Sequence, residues 1–150
     1  METTYDYKEL IDFLIESVSL FSGKELIESN TIGDIPDYPY CAYTIISPYI
    51  SITSDIVTGE QFECVVSLTW HCLSGLEALS LTAKTNKYFR TFEAKQRLEK
   101  KNIIFVSCSS SGQRDNFLSI EYERLAGCDL RFRLIDSYKD DELEIENIEL

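Results

Sequence analysis

Apolar residues return at intervals of three and four from Asp6 to Ser22, at Leu10, Phe13, Leu14, Val18 and Phe21. That spacing predicts one stripe of an amphipathic helix. Asp6 and Glu9 fit its N-cap and N3 positions, and Gly23 fits a left-handed stop. Segment 24–30, KELIESN, alternates weakly and predicts a short edge strand. TIGDIPD, 31–37, carries the Gly, Pro and Asp of a loop.

The pattern then shifts to period two. Tyr38, Tyr40, Ala42, Thr44 and Ile46 point one way and Cys41, Tyr43 and Ile45 the other, so both faces of the strand are mostly apolar or aromatic. Such a strand is packed on each side. Pro39 and Pro48 cannot donate ladder hydrogen bonds and are expected at its two ends. From Gln61 to Trp70, Phe62, Cys64, Val66, Leu68 and Trp70 alternate with more polar neighbours, a strand with one buried face. SDIVTGE, 54–60, predicts a hairpin turn around Gly59 or a bulged start to the same strand.

Helical spacing resumes over 74–92, with Ser74 and Glu77 as a capping box and Leu76, Leu79, Ala83, Asn86, Phe89 and Phe92 as the expected inner stripe. A second short helix is expected over 93–101, closed by Asn102, and then a strand at 103–108. SSSGQRDN, 109–116, predicts a flexible loop. The alternation from Tyr122 to Leu134 predicts a strand so long that a bulge near Ala126 and Gly127, or an extension past the body, is expected. Its polar side carries Arg131 and Arg133 beside Glu121, Glu123 and Asp129, a charge stripe suited to cross-strand pairs or to a neighbour's acidic surface. Residues 136–150 set Leu143, Ile145, Ile148 and Leu150 among seven carboxylates, an acidic edge strand or arm over 138–150. These elements predict a single α+β domain, 1–150, with an antiparallel β-sheet flanked by an N-terminal helix and a central long helix.

Composition narrows the chemistry. Twenty-six acidic against 14 basic residues give a net charge of −12, which argues against a surface built to grip phosphates. The amino terminus has no basic stretch followed by an apolar one, and no window reaches the roughly 20 apolar residues of a membrane helix; the expectation is synthesis in the cytosol and no membrane partner. Five cysteines with no CxxC pair fit reduced, buried thiols. The single histidine, His71, lies beside Cys72 and seven residues after Cys64. That spacing matches no common zinc site, and in a continuous strand His71 faces away from both cysteines. No Walker loop, G-x-S-x-G, G-x-G-x-x-G or H-E-x-x-H occurs. No catalytic, metal or cofactor residue is therefore assigned.

PDYPYCAYTIISPYI, 36–50, resembles the Pro-Xaa-Pro-Tyr-Xaa-Xaa-Tyr-Xaa-Ile-Xaa-Ser segment of the phage neck terminator or tail-completion proteins. ERLAGCDLRFRLIDS, 123–137, resembles that family's later Arg-Ala-Gly-Xaa-Asp-Leu-Arg-Phe strand, and ALSLTAKTNKYFR, 78–90, sits where the family has its long helix. The resemblance covers nearly the whole chain and implies a structural virion protein. It implies a homo-oligomer, a hexameric ring that caps the tail tube protein and joins it to the neck, connector or head-completion protein, with DNA passing through unbound. Tyr38, Tyr40, Tyr43, Tyr49, Arg131 and Arg133 are the expected subunit-interface anchors, Tyr and Arg being favoured there. Six copies at −12 would carry about −72, which would keep phosphates from sticking.

Two other readings fit parts of the sequence. A small acidic immunity or inhibitor protein would use the negative charge to cap a basic toxin. A thiol or metal enzyme would need Cys64, His71 and Cys72 to converge.

Overall fold

The computed structural model describes residues 3–139. Its elements are α1 (Tyr7–Ser22), β1 (Leu26–Glu28), β2 (Tyr40–Ser51), β3 (Gln61–Cys72), α2 (Gly75–Phe89), α3 (Phe92–Glu99), β4 (Ile104–Gln113) and β5 (Arg124–Ile135). The strands form one sheet in the order β1-β2-β3-β5-β4. The four long strands are antiparallel, and β1 joins β2 in parallel at the edge, completing an α+β fold.

The centre of the sheet follows from the alternation in β3. Phe62, Cys64, Val66, Leu68, Trp70 and Cys72 are all fully buried, and β5 answers with Ala126, Cys128, Leu130, Phe132 and Leu134. The two strands stay in register from Gln61 opposite Ile135 to Cys72 opposite Arg124. At about 3.3 Å per residue this makes a ribbon roughly 40 Å long. A one-residue slip would turn every one of those side chains to the other face.

Two helices seal that face. Asp6 caps α1 by accepting from the Lys8 backbone N–H, and Gly23, at φ 72°, ends it in the left-handed conformation. α1 contributes Leu10, Phe13, Leu14 and Val18; α2, capped by Ser74, contributes Ala78, Thr82, Thr85 and Phe89. Trp70 Nε1 donates to Thr85 Oγ1 at 2.9 Å, so the largest core side chain is satisfied at its polar end. Arg97 of α3 sits 4.7 Å over the Phe13 ring, donates to Ser17 Oγ and pairs with Glu16, tying α3 to α1.

Several expectations are corrected. The inner stripe of α2 is rotated: Leu76 is 79% exposed and Leu79 37%, while the polar Thr82 and Thr85 are buried. Both threonines donate back to the carbonyl four residues earlier, which removes the penalty of burying a hydroxyl. The expected loop 109–116 is mostly strand, since β4 runs to Gln113. The expected bulge lies on β4 instead of β5: the pairing steps from Ser109–Asp129 to Gly112–Gly127, with Ser110 at φ 54°, while β3 and β5 remain in step. Tyr122 lies in the turn before β5 and is exposed. Pro39 precedes β2 as expected, but Pro48 is inside it, in a stretch where the register with β3 shifts between Ser47 and Ile50. A bulge is a place where a missing N–H is tolerated. β2 is buried on both faces only over Tyr40–Ala42; Thr44 and Ile46 are exposed. From residue 140 onward the expected acidic arm lies outside the described residues.

One glycine is required by close approach. A Cβ on Gly127 would stand 2.1 Å from the Leu68 carbonyl oxygen and 2.9 Å from Thr69 Cα, both backbone atoms of the central strand. Gly127→Ala is expected to lower unfolding stability by at least about 3 kcal/mol. Denaturant melts read by circular dichroism check this, with Gly33→Ala, whose Cβ would meet open space, as the control.

Candidate functional site: the uncovered face of the sheet

Both long helices pack on the face that carries Trp70 and Phe132. The opposite face carries the odd positions of β3 and β5, and its side chains form three polar tiers along the ribbon.

At the lower end, Glu63 is nearly buried and lies directly opposite Arg133 in the register, with Arg131 one step along the same face. Arg131 Nη1 donates to Glu63 Oε1 at 2.7 Å; Arg133 Nη2 and Nε donate to Oε2 at 2.8 and 3.2 Å. The two guanidiniums hold the Glu63 carboxyl below its ordinary pKa. Both arginine side chains are about 40% exposed, at 38% and 41%, so cations form the outer layer over a carboxylate.

In the middle, Arg114 folds back from just beyond β4. Its Nη1 donates to Ser67 Oγ at 2.6 Å and Thr69 Oγ1 at 3.1 Å, and its Nη2 donates to Asp129 at 2.9 Å. At the upper end His71 Nδ1 lies 3.0 Å from Glu123, which also accepts from the Tyr38 hydroxyl at 3.1 Å. His71 stacks flat on Tyr40, ring centroids 4.6 Å apart. Burial, and then the Glu123 charge, push the Tyr40 phenol up to about 12. In the lower and middle tiers three guanidiniums face two carboxylates, a local excess of positive charge in a chain of net −12.

The six expected anchors are not brought together. Arg131, Arg133 and Tyr40 share the uncovered face, and Tyr38 stands at its upper edge. Tyr43 is half-buried opposite Leu68, on the helix-covered side. Tyr49 stacks on Phe62 at 4.0 Å, with its hydroxyl held between Glu60 and Asp136 at the lower end of the sheet. Arg114 escapes a periodicity reading because it lies past the bulge, and Glu63 because a lone acid on a strand carries no local signal.

Cys64 and Cys72 are buried beneath the helices while His71 is on the other face, so the three do not converge. Among the described residues no cluster of three or more metal-ligating side chains occurs. The cysteines do differ in character. Burial raises the Cys64 and Cys72 thiols to about 11 and 12 and raises Cys41 further. Cys108, on β4 and half-buried, is drawn below the ordinary thiol range by hydrogen bonding from Cys128 and Ser111, while Cys128 is raised.

The family model described as phage neck terminator protein matches residues 7–150. This bears out the resemblance read from 36–50, 78–90 and 123–137. No curated protein matches the chain.

Two predictions follow from these charges. Because the folded pKa of Glu63 is depressed, its stabilising contribution is full above the ordinary carboxylate range and disappears as pH falls through the folded value. Glu63→Gln is expected to lower stability by about 1 kcal/mol at pH 7, and the gap to the unaltered protein should close as pH falls through the lowered Glu63 pKa; urea melts across pH 3–8 measure it. At pH 7.5, Cys108 should react with iodoacetamide at least about tenfold faster than Cys41, Cys64, Cys72 or Cys128, as followed by peptide mass spectrometry.

Proposed function

The chain belongs to the phage neck terminator family, and from that premise we propose that it closes into a hexameric ring that caps the tail tube and joins it to the neck, with DNA passing through the lumen. It is a structural protein of the phage neck. The family match over 7–150 carries the reading; the uncovered sheet face supports it physically.

A sheet face laced with arginine over buried acid is suited to bind an acidic surface, and the chain itself supplies one. Arg131, Arg133 and Tyr38 are the side chains best placed to meet the next copy, and Tyr40, Tyr43 and Tyr49 would stiffen the sheet behind them. At the upper end, Leu73, Leu76, Phe117 and Leu118 are each more than two-thirds exposed, an apolar rim of the kind that docks on an adjoining protein. That rim would meet the tube or the connector. The negative charge of the assembled ring would let DNA slide without being held, and no cofactor is called upon. Synthesis in the host cytoplasm precedes incorporation at the neck of the virion.

Light scattering of the purified chain is expected to give a mass six times the 17.3 kDa of one copy. Cryo-electron microscopy of intact particles should find the chain as a ring between tail tube and head. A chain absent from the neck of purified particles would overturn the proposal.

A further inference from the structure

All five cysteines lie within the described residues, and four of them, Cys41, Cys64, Cys72 and Cys128, are buried in the core. Cys108 is only half-buried, on the edge strand β4. It lies opposite Leu130, and Cys128 is two residues from Leu130 on β5, so both thiols stand on the helix-covered face as diagonal neighbours across the β4–β5 ladder. Cys128 donates its S–H to Cys108, and Ser111 Oγ lies 3.8 Å from the same Cys108 sulfur. The other thiols are out of reach. Cys41 is on β2, with β3 between it and β5, while Cys64 and Cys72 lie opposite Phe132 and Arg124, each four residues along β5 from Cys128.

We propose that Cys108 and Cys128 form a reversible disulfide, stapling the edge strand β4 to β5, when the protein meets a hydroperoxide. Attack of the Cys108 thiolate on hydrogen peroxide breaks the O–O bond, leaving a sulfenic acid on Cys108 and a hydroxide that takes up the thiol's proton as water. The Cys128 sulfur then attacks the sulfenic sulfur, the S–S bond forms, and the departing hydroxyl leaves as a second water with the Cys128 proton. Two thiols and one peroxide thus become one disulfide and two waters. The environments set the order of attack. Hydrogen bonding from Cys128, with help from Ser111 and Arg90 and against burial and Asp129, holds Cys108 below the ordinary thiol range, and the thiolate is the nucleophile. Cys128, 1% exposed, meets only the sulfur beside it.

The backbone has the freedom that such a bond requires. Diagonal neighbours stand about 7–8 Å apart at Cα and a disulfide spans at most about 6.8 Å, so β4 must draw inward by about 1 Å. β4 is the strand suited to that shift. Among the described residues it pairs on one side only, and its register slips between Phe105 and Ser107 and again between Ser109 and Gly112, on either side of Cys108. The short run from Ser107 to Ser109 can therefore move against β5 without dragging the rest of the ladder. The inference stands on the β4–β5 pair alone and is independent of the ring.

Hydrogen peroxide added to the purified, reductant-free chain tests it, read by intact mass and peptide mapping. The expected product is a chain lighter by two hydrogens, with the Cys108 and Cys128 peptides linked, Cys41, Cys64 and Cys72 still free to alkylate after unfolding, and the link undone by dithiothreitol. Cys108→Ser should slow the loss of thiols at least about tenfold, and Cys128→Ala should stop at a Cys108 sulfenic acid that dimedone traps. In the oxidised chain the amides of 104–113 should exchange at least about threefold more slowly. A peroxide-treated chain in which Cys108 is bonded to any other cysteine, including Cys108 of a second copy, or is oxidised or left as thiol without the link to Cys128, would overturn the inference. That mapping is made on the unaltered chain, so it decides even where a variant fails to fold.

Discussion

The unbroken pairing of β3 with β5 is the constraint on which the remaining structure depends. Over the twelve paired residues, every second side chain from Phe62 to Cys72 and from Ala126 to Leu134 is apolar and buried, and most of the intervening ones are polar. Once that register is set, the molecule has one face that must be covered and one that need not be. α1 and α2 cover the first with Leu10, Phe13, Leu14, Val18 and Phe89. Gly127 permits the ribbon to close tightly at Thr69, and Trp70 reaches through the layer to Thr85. The second face is largely left to guanidiniums, carboxylates, hydroxyls and one histidine.

This division decides what kind of work the fold can do. The polar groups on the open face neutralise one another in short, well-formed contacts, and none is left isolated in a cleft with a reactive partner. Glu63 is clamped by two arginines, Asp129 by Arg114, and His71 by Glu123 and Tyr40. Membership of the phage neck terminator family is consistent with that division.

The sequence disclosed elements wherever a single period ran long enough. α1, β3 and β5 were legible because their apolar positions repeat without interruption and their caps, Asp6 and Gly23 for α1, stand where helix geometry needs them. The face of α2 was not, since Thr82 and Thr85 are inside for reasons that depend on Trp70, fifteen residues before Thr85, and on carbonyls of the helix itself. β4 was cut short because Ser-Ser-Ser-Gly has no alternation; it is drawn into the sheet by β5. The uncovered face is half visible: Arg131 and Arg133 stand out in their stripe, but Glu63 joins them, and Arg114 joins Asp129, only through strand pairing and a bulge. Tyr43 and Tyr49 stand out in the same string of letters, but their packing against the sheet and, for Tyr49, its bonds to Glu60 and Asp136 depend on strand pairing.

The continuous β3–β5 ribbon also has a mechanical meaning. Hydrogen bonds spread along roughly 40 Å resist sliding together, because a force along the strands loads all of them at once, whereas a force across one end would peel them singly. A collar built from such ribbons would be stiff against thrust in one direction and compliant in the other. In the proposed ring, the orientation of the strands relative to the tail axis would set how much of such a load each subunit could bear.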